Sequence, residues 1–193
     1  FGELEDYLAN RVIFGGDLLV VPDEGEPFYN HNVMVTEPDE PALGRLVDQI
    51  TAGLSGREEK IQALLSFVTD EIAYSHREQA GTRETLKRSP EVLMTGEGDC
   101  SNKVILMASL LTRLGEPALL LYDDDHIAVA VAVGAFPQEN GHHLRYAEQD
   151  WTILETTVSG FQIGTTRLTE PMDGETVPVS YTHLRAHETV RNL

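Results

Sequence analysis

The stretch Val104-Ile105-Leu106-Met107-Ala108-Ser109-Leu110-Leu111 is strongly apolar, and it is entered through Gly96-Glu97-Gly98-Asp99-Cys100. Gly115 fits the left-handed position just past a helix, and Pro117 follows it. A helix is therefore predicted from Cys100 to about Leu114. Cys100 is the only cysteine in the chain. A structural cysteine usually lies inside an apolar stretch, whereas this one stands on a first helical turn. Unpaired N–H groups and the positive end of the helix dipole favour a thiolate there. A single cysteine can form neither an intrachain disulfide nor a multi-cysteine metal cluster. A nucleophile is the sharpest reading of Cys100.

Residues 1–36 read as a β-rich extension. Arg11–Phe14 and Leu18–Val21 flank a glycine turn, Pro22–Pro27 is a loop, and Val33–Thr36 is extended. Residues 41–54 suit a helix, with Leu43, Leu46, Val47, Ile50 and Leu54 at helical spacing. A second helix carries Ile61, Leu64, Leu65, Val68 and Ile72, with Ser55 and Glu58 at capping-box spacing. Residues 75–95 are polar and hold Arg77, Arg83, Lys87 and Arg88, read as a solvated basic cluster; Ser89-Pro90-Glu91 starts a short helix. After the Cys100 helix come a buried strand over Ala118–Leu121, an acidic turn at Asp123-Asp124-Asp125, and His126 opening the apolar run Ile127–Val133. That run has the pattern of a strand buried on both faces. Gly134–Gly141 is a loop, and Trp151–Val158 is the next strand. Helices first and antiparallel strands after is an α+β order.

The 193 residues suit one domain with a small extension, and no window approaches a membrane-spanning length. The net charge of −18 argues against nucleic acid and against direct contact with an anionic membrane. Only Lys60, Lys87 and Lys103 are lysines, a scarcity met in salt-adapted proteins and on ordinary acidic surfaces alike. The chain begins at Phe1 and reads as a fragment of a larger protein, cytoplasmic or extracytoplasmic. The expected core is 37–170, followed by a tail, 171–193. Within that tail, 179–189 resembles the translation of a sequencing-library adapter, so His183 and His187 receive no functional weight.

A thiol nucleophile needs a base, and the base needs a third group to fix its tautomer. His142 and His143 fall in a polar loop, read as exposed; His31 and His76 have no obvious partner. His126 stands at the mouth of a buried strand that follows the cysteine helix. Glu155, among Ile153, Leu154 and Val158, is costly to bury without a partner. If the two strands pair antiparallel, Glu155 can approach His126. On an edge strand it would face outward instead.

The Gly96-Glu97-Gly98-Asp99-Cys100 segment, the helix ending Leu114-Gly115, the strand opening with His126 and the run from Trp151 to Thr157 together resemble the transglutaminase-like superfamily. Phe67–Tyr74 and Ser89–Leu93 match its lead into the cysteine, so the likeness covers about 37–165. The resemblance implies a papain-like core of helices on an antiparallel sheet. It implies catalytic Cys100, His126 and Glu155, and the Cys100 backbone N–H in an oxyanion hole whose second donor lies upstream, within 74–85. Glu155 replaces the usual Asp, a version that some microbial branches use, and Ser101-Asn102 replaces a common acidic pair without catalytic role. The implied activity is cysteine peptidase or amidase chemistry on protein or peptide substrates through a thioester, with hydrolysis favoured over transfer to an amine. No cofactor and no metal are expected. The alternatives are a catalytically silent binding module, a calcium adaptor through Asp123–Asp125, which lacks the spaced ligands of a dedicated loop, and a zinc site at Cys100, His126 and Glu155.

Overall fold

The computed structural model describes residues 19–20, 28–35, 40–80, 85–122, 126–132, 143–146, 148–166 and 179–180. β1 (Leu19–Val20) pairs antiparallel with β2 (Phe28–Tyr29). A strand does lie within Leu18–Val21, but its partner is β2; Arg11–Phe14 and the loop to Pro27 fall outside the described residues. The extended piece expected at Val33–Thr36 is corrected to a 3-10 turn over His31–Met34. The Asn30 side chain accepts from the Asn32 N–H at 3.3 Å, offering the backbone a local alternative to a strand.

Helix α1 (Pro41–Ile50) starts with Pro41, whose missing N–H costs nothing at a first turn, and Glu40 accepts from the Ala42 N–H at 3.0 Å. It buries Leu43 and Val47 and stops four residues short of the expected Leu54, because Thr51 caps it and Gly53 turns at φ +78°. Helix α2 (Arg57–Ser66) buries Ile61, Leu64 and Leu65. Its box lies one residue beyond the expected Ser55 and Glu58: the Gly56 N–H donates to Glu59 at 3.1 Å. The chain then widens into a π turn over Phe67–Glu71. Arg57 holds the start of α2 in place, donating to both carboxylate oxygens of Glu116 and to the Ala132 carbonyl at 2.6 Å.

β3 (Ala73–Tyr74) runs parallel to β4 (Glu97–Gly98), bringing the end of the π turn beside the lead into Cys100. Between them lie α3 (His76–Gln79) and α4 (Ser89–Thr95). Helix α5 (Cys100–Leu114) is the centre of the molecule, with every residue from Asn102 to Leu111 at most 1% exposed. A helix apolar all round needs cover on all sides. Helices α1, α2 and α4 supply part of it and the main sheet the rest.

That sheet is antiparallel, in the order β7 (His143–Tyr146), β8 (Gln149–Leu154), β6 (Ile127–Ala132), β5 (Ala118–Tyr122), β9 (Val179–Ser180). Ile127, Val129 and Val131 join the large core with α5, while Ala128 and Ala130 pack with Leu119, Leu121, Trp151 and Ile153 on the opposite face. The continuous apolar run after His126 thus belongs to a strand covered on both faces. The architecture is α+β, helices packed on an antiparallel sheet. Two readings of its strands change. Trp151–Val158 is strand only as far as Leu154, and β8 is interior, flanked by β6 and β7. His143, read as an exposed loop residue, lies in β7 and is hydrogen-bonded to Thr152 at 2.9 Å.

Candidate active site

Each residue of Gly96-Glu97-Gly98-Asp99-Cys100 has a separate structural task. Gly96 ends α4 at φ +67°, a conformation that a side chain would oppose. Glu97 pairs with Arg77 at 3.0 Å. Gly98 passes so close to α5 that a Cβ there would sit 2.8 Å from the Asn102 Cβ. Asp99 is the N-cap, accepting from the Asn102 N–H at 3.1 Å. Cys100 then occupies the first turn, half-buried, where backbone N–H groups lack intrahelical acceptors.

His126 stands just before β6, and its side chain is hydrogen-bonded to that of Cys100. Its Nε2 lies 2.8 Å from Glu155 Oε2, which leaves Nδ1 as the nitrogen for the thiol. Antiparallel pairing of β6 with β8, in the register Val129↔Leu154, brings the two residues together. Glu155 is one residue beyond β8 and 0% exposed, so the outward-facing edge position does not occur. Its other oxygen accepts from the Thr157 hydroxyl at 2.6 Å and the Thr157 N–H at 3.0 Å. A buried carboxylate is tolerable when so fully bonded.

The electrostatics follow from these contacts. The Cys100 hydrogen bond, then the Glu155 hydrogen bond, raise His126 to about 9 against an opposing pull from burial. Burial pushes Glu155 up, but the bonds from His126 and Thr157 prevail and hold it below the usual carboxylate range. An imidazolium gripped on one side by a carboxylate and on the other by sulfur can hand a proton to a departing group. The three side chains run in series rather than converging on a point. Among the described residues no three His, Cys, Asp or Glu groups are arranged to hold a metal ion. Asp123–Asp125 lie outside the described residues.

Around these three residues the structure gives tasks that the sequence had not assigned. Asn102 is completely buried. Its Oδ1 accepts from the Lys87 N–H at 2.6 Å, and its Nδ2 donates to the Thr85 carbonyl at 2.8 Å and to Glu78 at 3.1 Å. One side chain thus ties Glu78, Thr85 and Lys87 to the cysteine helix. The basic cluster is not simply solvated: Lys87 pairs with Glu78 at 2.6 Å with both side chains largely covered, and Arg88 is 9% exposed. Only Arg77 fits that reading, and Arg83 falls outside the described residues. His31, expected without a partner, is buried with Nδ1 3.0 Å from the Tyr122 hydroxyl. His76 packs edge-on against Tyr74. His142, His183 and His187 fall outside the described residues. A signal for Asn102 was available: a polar residue two places into an otherwise apolar helix needs partners.

A family model described as the transglutaminase-like superfamily matches residues 44–144, just over half of the 193. Cys100 and His126 lie inside the matched range and Glu155 beyond it. No curated protein is significantly similar in sequence. Three crystal structures are similar in fold. One is titled a "putative protease" from Parabacteroides distasonis, at 16% identity and TM-score 0.44 over 76% of this chain and 35% of that one. Another is titled a "putative cysteine protease" from Cytophaga hutchinsonii, at 15% identity and TM-score 0.46 over 74% and 46%. The third is titled a TGase, at 16% identity and TM-score 0.44 over 73% and 37%. The chain therefore spans less than half the length of each. On the family match, with its cysteine motif on the central helix, this chain belongs to the transglutaminase-like superfamily.

Proposed function

We propose that the domain is a cysteine acyl-transfer enzyme acting on peptide or amide bonds, with Cys100 as nucleophile, His126 as general acid and base, and Glu155 as the group that orients His126. The observation that carries this reading is the position of His126, hydrogen-bonded to Cys100 on one side and 2.8 Å from fully buried Glu155 on the other. Cys100 Sγ attacks the carbonyl carbon, and the oxygen takes up the negative charge beside the first-turn Cys100 N–H. As the C–N bond breaks, His126 gives its proton to the leaving amine, and an acyl thioester remains. Water, losing a proton to His126, attacks the thioester. The C–S bond then breaks, releasing the carboxylic acid and regenerating the sulfur–imidazolium pair. A primary amine in place of water would give transamidation; hydrolysis is the favoured outcome.

The first test is alkylation of Cys100 by iodoacetamide from pH 4 to 9, in the parent protein and in His126→Ala. Fast labelling well below pH 8 that slows in the variant supports a His-activated thiolate. Slow labelling with an ordinary thiol profile in both would leave a catalytically silent module as the better account. Peptide and amide substrates then separate hydrolysis from amine transfer by the product formed.

A further inference from the structure

Lys103 lies one turn beyond Cys100 on the same face of α5, and it is 1% exposed. A lysine is almost never buried so deeply without partners. Its Nζ donates to the Ile72 carbonyl at 2.7 Å and reaches the Thr69 carbonyl at 3.5 Å, buried acceptors within and just past the π turn. Two carboxylates act on its charge, Asp70 from the π turn and Glu155 from the end of β8. Asp70 in turn accepts from Ser159 at 2.6 Å and from the Gly160 N–H at 3.3 Å, in the turn that Glu155 begins. The contacts close a ring: α5, Lys103, the π turn, Asp70, the 157–160 turn, Glu155, His126, and back to Cys100 on α5.

We propose that Lys103 is a positioning residue for the thiol chemistry, an internal cation that fastens the turn bearing Glu155 to the cysteine helix and neutralises the surplus negative charge of the reacting group. The charge count gives the reason. Thiolate, imidazolium and carboxylate together carry one net negative charge in a largely covered site, and an uncompensated buried charge is strongly disfavoured. Lys103 brings the sum of these covered groups to zero; Asp70, the other carboxylate acting on it, faces solvent, where water and salt screen its charge. Without it, ionising the thiol would leave an uncompensated negative charge in the site. Burial pulls Lys103 down to about 8, against the upward pull of Asp70 and Glu155, so it remains a cation through the range in which the thiol becomes reactive. Capping two carbonyls needs only a donor; neutralising the site needs the charge.

This inference rests on the cysteine-enzyme reading, and its test separates the two. Iodoacetamide labelling of Cys100 is followed from pH 4 to 8 in the parent protein, Lys103→Met and Lys103→Gln. Gln keeps a donor and loses the charge; Met loses both. The expected result is an alkaline displacement of the labelling profile by about one pH unit in both variants, hence roughly tenfold slower labelling on the acidic limb. A profile unmoved in a folded variant would overturn the proposal, leaving Lys103 a carbonyl cap. An ordinary thiol profile in the parent protein would instead overturn the cysteine-enzyme reading. A measurement without substitution guards against misfolding: the Lys103 Nζ resonance is titrated before and after carbamidomethylation of Cys100. Loss of the thiolate charge should move its midpoint to lower pH, and an unchanged midpoint would refute the coupling.

Discussion

His126 Nε2 and Glu155 Oε2 are 2.8 Å apart, and the carboxylate of the pair is wholly shut off from solvent while the imidazole is 17% exposed. The asymmetry fixes the direction of the arrangement. In the proposed reaction the buried partner orients and stabilises, while the ring, opening toward the thiol, exchanges protons with the substrate. Glu155→Gln keeps the shape and removes the charge. It should lower the His126 titration midpoint, read from the imidazole proton shifts, and reduce turnover by roughly 10²–10⁴-fold, since the amide stabilises neither the correct tautomer nor the imidazolium. Glu155→Asp should retain more activity than Gln. It keeps the charge but, one methylene shorter, cannot reach both His126 and Thr157 from the same backbone.

Stability should fall as pH rises above neutrality. His126 holds its proton to about 9 in the folded protein against about 6.5 when unfolded. Its stabilising contribution is fully present below 6.5 and is lost as pH rises through 9, an effect of at most about 3 kcal/mol. Lys103 acts oppositely: with a folded value of about 8 against 10.5, it makes stability increase with pH between those values. Thermal melts should therefore show a decline beginning near pH 6.5 and flattening above pH 8. In His126→Gln the decline should disappear and only the Lys103 rise remain.

Gly98→Ala should damage the site more than its size suggests. The new methyl would sit 2.8 Å from the Asn102 Cβ, on a helix that is packed on all sides and cannot retreat. A cost of about 1–3 kcal/mol is expected in urea unfolding. Cys100 labelling should slow as well, because β4 and the first turn of α5 are forced apart.

Asn102→Ala should loosen the hold of the cysteine helix on Thr85 and Lys87. The Lys87 N–H and the Thr85 carbonyl lose their partner, at about 1–3 kcal/mol for each group left buried and unpaired. Trypsin should then cleave after Lys87 much faster than in the parent protein. Equal cleavage rates would mean that the Glu78–Lys87 ion pair suffices to hold the segment.

The parts of this molecule that sequence made legible are those whose causes are local. The helix from Cys100 to Leu114 announces itself through its apolar run and its end through Gly115, and the apolar stretch after His126 marks a strand covered on both faces. What escaped depends on partners distant in the chain. Nothing near Phe67 signals a π turn; its open carbonyls are satisfied by Lys103, more than thirty residues on. The 3-10 turn at His31 was hidden because the Asn30 side chain, not a hydrophobic pattern, decides it. Glu155 was expected within a strand; it lies one residue beyond β8, 2.8 Å from His126. The chain leaves β8 at Leu154 because the Glu155 carboxylate bonds forward to Thr157 and across to His126, which a continued ladder would forbid. In a chain with three lysines, one placed three residues after the sole cysteine was itself a signal.

The placement of Cys100 on α5 has a consequence for how the domain can vary. Amides of α5, β5 and β6 should be among the slowest to exchange with deuterium, because only global opening exposes a helix so enclosed. Glu78, Thr85 and Lys87 are held to that unit by a few side-chain contacts. Under the proposed function, the thiol chemistry and the contacts around it thus fall to parts of unequal rigidity. Residues on that looser side can vary while Cys100 stays fixed on the enclosed helix.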